Sequence, residues 1–444
     1  MNRTQVCQAA CYNWPTRSLK GTFRAMPARP LLSALKKRLP APALDALRRL
    51  TQLAETRGET LYLVGGSVRD LLLDRPEVDL DIAVEGDAVA LAGELAALTG
   101  ARVTVHSAFG TASAAGQAFR LDLARTRAES YPRPGSLPVV RPAGLQDDLS
   151  RRDFTVNAMA LKLTRPGAGR LIDPFSGRRD LEQRKIRVLH EASFRDDATR
   201  MLRAVRYEGR LSFRIDDTTL PLIERDRACL DTISGARILR ELTLMFYEPH
   251  PEALLARCEE LGLLTAIHPA LRLDPGGARA LSLAEEERAA PWDEVCLCLI
   301  AWGSNEGDVD SLSERLGLPG RHRRALFDAV KARELTTPLR DPRLPPSAVV
   351  EMLEPLAVAA VWALRLMFRE GTVAERTGRF LKEWRLLRPF LNGRALRRMG
   401  VSEGPRLGAL LTALRAARLD GLTASREDEI ALVERLRPPG PAPG

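Results

Sequence analysis

The stretch Leu61-Tyr-Leu-Val-Gly-Gly-Ser-Val-Arg-Asp70, followed by Val78-Asp-Leu-Asp-Ile-Ala83, is compatible with few folds. Leu61 to Val64 is a short apolar run that stops at Gly65-Gly66, the pattern of a buried strand entering a turn where backbone approaches a ligand closely. Ser67 can cap a helix running from Val68 to Leu73, and backbone N–H groups at such a start attract phosphate. Arg69 adds a forked cation for phosphate oxygens. In Asp79-Leu80-Asp81-Ile82 the carboxylates alternate with apolar residues, so on a strand Asp79 and Asp81 share one face while Leu80 and Ile82 pack on the other. Side-by-side carboxylates repel unless a cation lies between them, and hard oxygen donors favour Mg²⁺. Singly, a Gly-Gly is an ordinary turn and an Asp-x-Asp an ordinary solvated edge. In this order they point to metal-assisted phosphoryl chemistry.

Three later stretches add chemistry to the same scheme. In Phe119-Arg-Leu-Asp-Leu-Ala124, Asp122 alternates with apolar neighbours as a strand residue does and is a candidate third carboxylate. Asp148-Leu-Ser-Arg-Arg-Asp-Phe-Thr-Val-Asn-Ala-Met-Ala160 brings two adjacent cations, Arg151 and Arg152. Phe194-Arg-Asp-Asp-Ala-Thr-Arg-Met-Leu-Arg-Ala-Val-Arg-Tyr207 is helical in period, with Met201, Leu202 and Val205 on one stripe and Asp197, Arg200, Arg203 and Arg206 outside it. Such a charged face is ordinarily only solvated, but Asp197 and Arg200, about one turn apart, have a chemical use. Cytosine and adenine carry an exocyclic amine beside an unprotonated ring nitrogen, whereas uracil and guanine present a carbonyl beside a ring N–H. A carboxylate that accepts from the amine, with a guanidinium that donates to the ring nitrogen, selects C and A together.

Together these stretches resemble the class II tRNA nucleotidyltransferases, the CCA-adding and A-adding enzymes, and the bacterial poly(A) polymerases of the polymerase-β-like superfamily. The resemblance is strong over about residues 55 to 245 and weaker over the C-terminal third. It implies catalysis by Asp79, Asp81 and Asp122, with two Mg²⁺ ions held by Asp79 and Asp81. It implies a nucleotide site of Gly65, Gly66, Arg69, Arg151 or Arg152, Asp197, Arg200, Arg203 and Arg206, in which Asp197 and Arg200 template the incoming base. Asp196 stands where the family carries Glu, leaving the base-reading pair intact. The implied substrates are CTP, ATP and the tRNA 3′ end, with release of pyrophosphate. Thr126 to Val140, rich in Pro and Gly, resembles the surface loop of CCA-adding and A-adding members and argues against addition of CC alone. Complete CCA and terminal A alone remain open. A poly(A) polymerase is the alternative, opposed by Met159-Ala160 where such enzymes carry aromatic residues. A non-catalytic RNA-binding protein on this scaffold would be expected to have lost a carboxylate.

Charge adds little. The net charge is +10, but eight cations precede Asp45 with no acidic residue among them, and removing those eight leaves +2. That N-terminal composition fits a transit peptide or an overcalled start, and Met26 before Pro27 favours the second. Aromatics at 5% disfavour base-stacking sheets. The six cysteines lack ligand spacing, and the five histidines are scattered, so both read as structural. No long uncharged apolar span occurs, so the expectation is a cytoplasmic, membrane-free monomer or weak homo-oligomer. The expected fold is α+β: a disordered basic extension over 1–40, a mixed-sheet catalytic head over 41–190, a neck with the base-recognition helix over 191–250, an all-α tRNA-binding body and tail over 251–437, and a disordered end over 438–444. Arg394, Arg397 and Arg398 beside turn glycines are the expected tRNA contacts in that tail.

Overall fold

A computed structural model describes residues 31–75, 79–106, 110–133, 135–282, 288 and 291–436. The expected disordered end at 438–444, Met26, Cys7 and Cys11 lie outside the described residues. Those described divide into two compact units, one running to Glu241 and including Glu260–Ala266, the other formed by Leu242–Glu259 and the chain from Ile267 onward. Of the expected neck, the part through Glu241 belongs to the first unit. The expected extension is folded from Leu31: the helix Leu31–Arg38 buries Leu31 and Leu35, and Arg38 donates to the carbonyls of Leu71 at 3.2 Å and Arg75 at 3.3 Å. Two leucines one turn apart give this short segment an apolar stripe, which basic composition alone obscures.

The strands of the first unit are β1 (Thr60–Val64), β2 (Leu80–Glu85), β3 (Arg102–His106), β4 (Thr111–Ala115), β5 (Arg120–Arg125), β6 (Arg127–Ser130), β7 (Val139–Pro142), β8 (Ala160–Lys162) and β9 (Leu171–Ile172). Seven of them form one sheet in the order β3-β4-β5-β2-β1-β8-β9. Only β2 and β5 pair in parallel, so the sheet is mixed. β1 lies between β2 and β8, and Leu61, Tyr62, Leu63 and Val64 are all buried, Tyr62 and Val64 in a cluster with Leu145 and Leu149.

The helices Ala41–Thr56 and Ala88–Thr99 pack together, and the second also lies against β4 and β5. The second starts at Asp87, whose carboxylate accepts from the Val89 and Ala90 amides, and ends at left-handed Gly100. Elsewhere, Tyr62, Val64, Ala83 and Ala160 pack with Leu145 and Leu149 of the helix Leu145–Ser150. Ala83 shares a strand face with Asp81, so this packing sets the end of that helix, and the cations after it, over the carboxylates.

The expected loop over 126–140 is half regular. β6 and β7 form a two-stranded antiparallel ribbon pairing Glu129 with Val140, and the proline and glycine residues cluster in the connection between them. The second unit is helical, as the 3.6-residue periods indicate, and includes the helices Trp292–Ile300, Gly320–Glu334 and Val358–Met367. Its last part has a core of Leu391, Leu396, Val401, Leu410, Leu414 and Val433. Among the described residues no single helix is long and apolar enough to cross a membrane.

Candidate active site

The register of three strands sets the carboxylates. Asp81 of β2 stands directly beside Asp122 of β5, and Asp122 stands opposite Ser113 of β4. Asp79 precedes Asp81 on the same face, so the three expected carboxylates border one region. Asp81 keeps access to solvent, yet protein crowds its carboxylate. Lost hydration first, then the charges of Asp122 and Asp79, push its pKa up, against the opposing pull of Arg152 and Ser67. Asp122 is already engaged, accepting a short hydrogen bond from Ser113 and lying 3.1 Å from the Arg120 guanidinium.

The glycine turn departs from the simple capping expectation. Gly65 has φ +67°, outside ordinary side-chain territory, and this bend starts the helix at Gly66. Ser67 therefore falls inside the seven-residue helix and is buried. Its hydroxyl serves Asp81 instead of the helix start, accepting from the Asp81 amide at 3.3 Å and donating to the carboxylate at 3.4 Å.

Arg151 and Arg152 share Asp148. Arg152 Nη2 is 2.8 Å from one carboxylate oxygen, and Arg151 binds the other at 2.7 Å while reaching Glu129 at 3.0 Å. Burial alone would raise the Asp148 pKa, but Arg152 and Arg151 outweigh it and hold it below the usual range. The two arginines differ in what they face. A Cβ on Gly65 would lie 2.6 Å from Arg152 Nη1, and Arg152 is the cation acting on Asp81, with its buried Nε unpartnered. Gly65→Ala combines that clash with left-handed strain. It is expected to cost roughly 1–2 kcal/mol in urea unfolding and to raise KM for nucleotide; an unchanged KM would mean that Arg152 does not contribute to nucleotide binding.

Behind the turn lies a buried polar network. Arg69 donates to Asp70 at 2.8 and 3.0 Å and to Asn157 at 2.6 Å, and sits 5.2 Å from the Tyr207 ring centre. Asn157 donates to Asp153 at 2.9 Å, and Asp153 accepts from Arg203 at 2.7 Å. Arg203 continues to Glu241 at 3.3 Å, and Arg206 meets the same carboxylate at 3.2 Å. Arg203 and Arg206 also lie 5.6 and 5.2 Å from the Tyr207 ring centre. Arg69 and Arg203 line the cleft but hold protein carboxylates, whereas Arg206 is buried and does not line it. The expectation of a charged face on the helix Thr199–Leu211 is corrected accordingly. Arg200 and Arg206 are each 5% exposed, because Glu241 and other anchors cover the side opposite Met201 and Val205.

Asp197 and Arg200, the expected base-reading pair, are fixed by different partners. Asp197 accepts from the Thr199 amide and hydroxyl on one oxygen and from Arg237 at 2.6 Å on the other. Arg200 donates to Ser193 and, at 2.7 Å, to the Arg151 carbonyl. A carboxylate has about four acceptor positions and a guanidinium five donors, so both retain capacity for a ligand. One cleft of about 480 Å³ is lined by Gly65, Gly66, Arg69, Asp79, Asp81, Arg151, Arg152, Asp197, Arg200 and Arg203. Asp122 lines an adjoining cavity of about 300 Å³ that shares Asp81, Arg151 and Arg152 as walls. Sequence reasoning missed Glu129, Tyr131, Asp153, Asn157, Tyr207 and Arg210 in the larger cleft. A signal for the first two was available, since alternate positions on a strand share a face.

Known proteins share this architecture. Residues 61–187 match the family described as Poly A polymerase head domain, and residues 212–273 match one described as the probable RNA and SrmB-binding site of polymerase A. The A-adding tRNA nucleotidyltransferase of Geobacter sulfurreducens is 34% identical over 92% of this chain and 48% of its own length. The CC-adding tRNA nucleotidyltransferase of Deinococcus radiodurans is 31% identical over 83% of this chain and 87% of its own. A solved CCA-adding enzyme in an apo form has a TM-score of 0.80 at 28% identity, over 91% of this chain and 98% of the other. The head is thus of the Poly A polymerase head-domain type. The chain belongs to the class II tRNA nucleotidyltransferase family, and it spans about half the length of the Geobacter relative.

The family implies a divalent metal. Among the described residues no group of three His, Cys, Asp or Glu side chains stands ready to hold one. The donor chemistry fits nevertheless. Asp81 is a carboxylate whose charge is disfavoured by lost hydration and then by its neighbours Asp122 and Asp79, the imbalance that a cation relieves.

Proposed function

We propose that the protein adds nucleotides, without a nucleic-acid template, to the 3′ end of tRNA, using CTP and ATP and releasing pyrophosphate. The observation that carries this reading is one cleft holding Asp79 and Asp81 together with Asp197 and Arg200. The carboxylates supply a place for phosphoryl transfer, and the pair supplies a complement to the edge shared by C and A. The names of its relatives, A-adding and CC-adding tRNA nucleotidyltransferase, support the acceptor.

In this mechanism Arg152 holds triphosphate oxygens, and Arg151, committed to Glu129 and Asp148, orients the segment that carries it. Arg69 and Arg203 act from behind, keeping the turn and the base-reading helix in register. Asp197 accepts from the exocyclic amine and Arg200 donates to the ring nitrogen, so the nucleotide is fixed relative to Asp81 before an acceptor arrives. When bound by Asp79 and Asp81, Mg²⁺ ions supply activation of the tRNA 3′-hydroxyl and charge neutralisation of the leaving pyrophosphate. Asp122, tied to Ser113 and Arg120, modulates Asp81 by its charge. The described cysteines are free thiols, which supports a reducing cytoplasm as the site of action.

Addition of the terminal A alone is the second reading, favoured by the Geobacter relative's match over 92% of this chain. Incubation with tRNA ending before CCA, and separately with tRNA ending in CC, distinguishes the two when CTP or ATP is labelled. Incorporation of C refutes A-only addition, and no incorporation into either acceptor refutes the enzyme reading. Asp197→Ala is expected to lower the preference for ATP and CTP over UTP and GTP about tenfold, the scale of one base-edge contact. Preserved discrimination in that variant would remove Asp197 from base reading.

A further inference from the structure

A relay of hydrogen bonds joins the β6–β7 ribbon to the helix Thr199–Leu211. Glu129 is nearly enclosed, its side chain 7% exposed, and carries opposed tasks on its two oxygens. Oε1 accepts from Arg127 and from Arg151 Nη1, both at 3.0 Å, while Oε2 accepts from the Tyr131 hydroxyl at 2.9 Å. Arg151 then offers its main-chain carbonyl to Arg200 Nη2 at 2.7 Å. Glu129 and Tyr131 lie two apart on one extended run, and both line the cleft beside Asp197, Arg200 and Arg151. The tip of the ribbon connection is packed as well, since a Cβ on Gly135 would fall 2.4 Å from the Thr232 carbonyl.

Resting on the proposed nucleotide addition, we infer that Glu129 is a positioning residue for the Arg200 guanidinium and that Tyr131 is a specificity-determining wall of the base pocket. A guanidinium reads a base edge only if its plane is fixed, because its donors are directional. Arg200 is fixed by Ser193 on one side and by the Arg151 carbonyl on the other. The Arg151 side chain is in turn held between Asp148 and Glu129, so the second anchor is as rigid as the Glu129 carboxylate. Electrostatics place the Tyr131 hydroxyl in the same neighbourhood. Burial first and the Glu129 charge second raise its pKa, while Arg200 lowers it and Asp197 raises it. Tyr131 therefore remains a neutral donor to Glu129 while it lines the cleft. Asp197 and Arg200 define the edge of the base, and Tyr131 limits how far that base can shift along them.

The test measures kcat/KM for ATP, CTP, UTP and GTP with both tRNA acceptors in the wild type, Glu129→Gln, Tyr131→Phe and Tyr131→Ala. Transfer by the wild-type protein reports on the proposed function, and the ratios among nucleotides in the variants report on this inference. Glu129→Gln and Tyr131→Ala are expected to lower the preference for ATP and CTP over UTP and GTP about tenfold, the effect of one charged hydrogen bond. Tyr131→Phe keeps the ring and should fall between them and the wild type. Combining Glu129→Gln with Arg200→Lys should lower the ratio no further than Arg200→Lys alone, because both act through one guanidinium. Variants that lose all four nucleotides by the same factor, or that keep the wild-type ratio, overturn the inference while leaving the function standing. Tyr131→Phe preserves the fold's apolar contacts, so a Glu129 variant that fails to fold leaves the ratio measurable.

Discussion

Asp81→Asn is expected to lower transfer by at least about a thousandfold, the scale on which loss of a preorganised electrostatic group acts, and yet to melt no lower than the wild type at neutral pH. The two effects have one cause. Asp81 is crowded by protein and stands beside Asp122 and Asp79, so its ionised form is disfavoured in the folded chain and its pKa is raised. A raised folded pKa means that the native state holds the proton more tightly than the unfolded chain does. The associated stabilisation is complete below the unfolded value of about 4 and is lost as pH rises through the folded value. At neutral pH the carboxylate is therefore a net burden on the fold, softened by its access to solvent and by Arg152 and Ser67. The amide has no charge to desolvate, and it removes repulsion from two neighbours. Melting of both proteins from acid to neutral pH checks this: the variant's advantage should appear only as Asp81 ionises in the wild type. Added Mg²⁺ should raise the wild-type midpoint more than the variant's. A variant that melts lower at neutral pH, with the gap constant across the range, would contradict the electrostatic account.

How much of this was legible in the sequence depends on the range of the interaction. Alternation put Asp81 and Asp122 on strands, with Asp79 one residue ahead of β2, and the apolar run before Gly65 identified β1, because both signals act within a few residues. The start of the following helix was misplaced by two residues. The positive φ of Gly65 is a backbone property that the letters Gly-Gly permit but do not require. The helical period of 194–207 separates the apolar stripe correctly and puts Arg200, Arg203 and Arg206 on a charged face open to nucleotide. Arg206 is instead neutralised by Glu241, 35 positions away, and no period within the helix contains that information. Asp153 read as one letter of a motif; its position between Asn157 and Arg203 emerges only when head and helix are packed. In 126–140 the prolines dominated the reading and masked the alternation of Arg127-Ala-Glu-Ser, so Glu129 was passed over. Arg237, which grips Asp197, is not legible as its partner because tertiary contact, not spacing, joins them.

Asp153→Asn should be the most destabilising single change in the cleft wall, costing about 3 kcal/mol, near the lower end of what removing one partner of a buried ion pair costs. Asp153 is buried and fully engaged: it accepts from Arg203 at 2.7 and 3.1 Å, from the Asn157 amide group at 2.9 Å and from the Phe154 backbone N–H at 2.8 Å. The amide keeps the shape but leaves the Arg203 charge without its nearest counter-ion, and one of its oxygens becomes an NH₂ facing other donors. The lower end applies because Arg203 retains Glu241 at 3.3 Å and the Tyr207 ring, and is itself 29% exposed. Burial by itself would raise the Asp153 pKa, but Arg203 and Asn157 outweigh it and hold it below the ordinary value. A lowered folded pKa gives stability that is present above the unfolded value and is lost as pH falls through the folded one. The gap between wild type and variant in urea unfolding should therefore be widest at neutral pH and narrow in acid, once the wild-type carboxylate is protonated. Because Asn157 ties Asp153 to Arg69 and the glycine turn, the same variant should also raise KM for nucleotide. A cost below about 1 kcal/mol, the size of an exposed ion pair, or a gap that does not change with pH, would mean that the network from Arg69 to Glu241 does not hold the turn and the helix Thr199–Leu211 together.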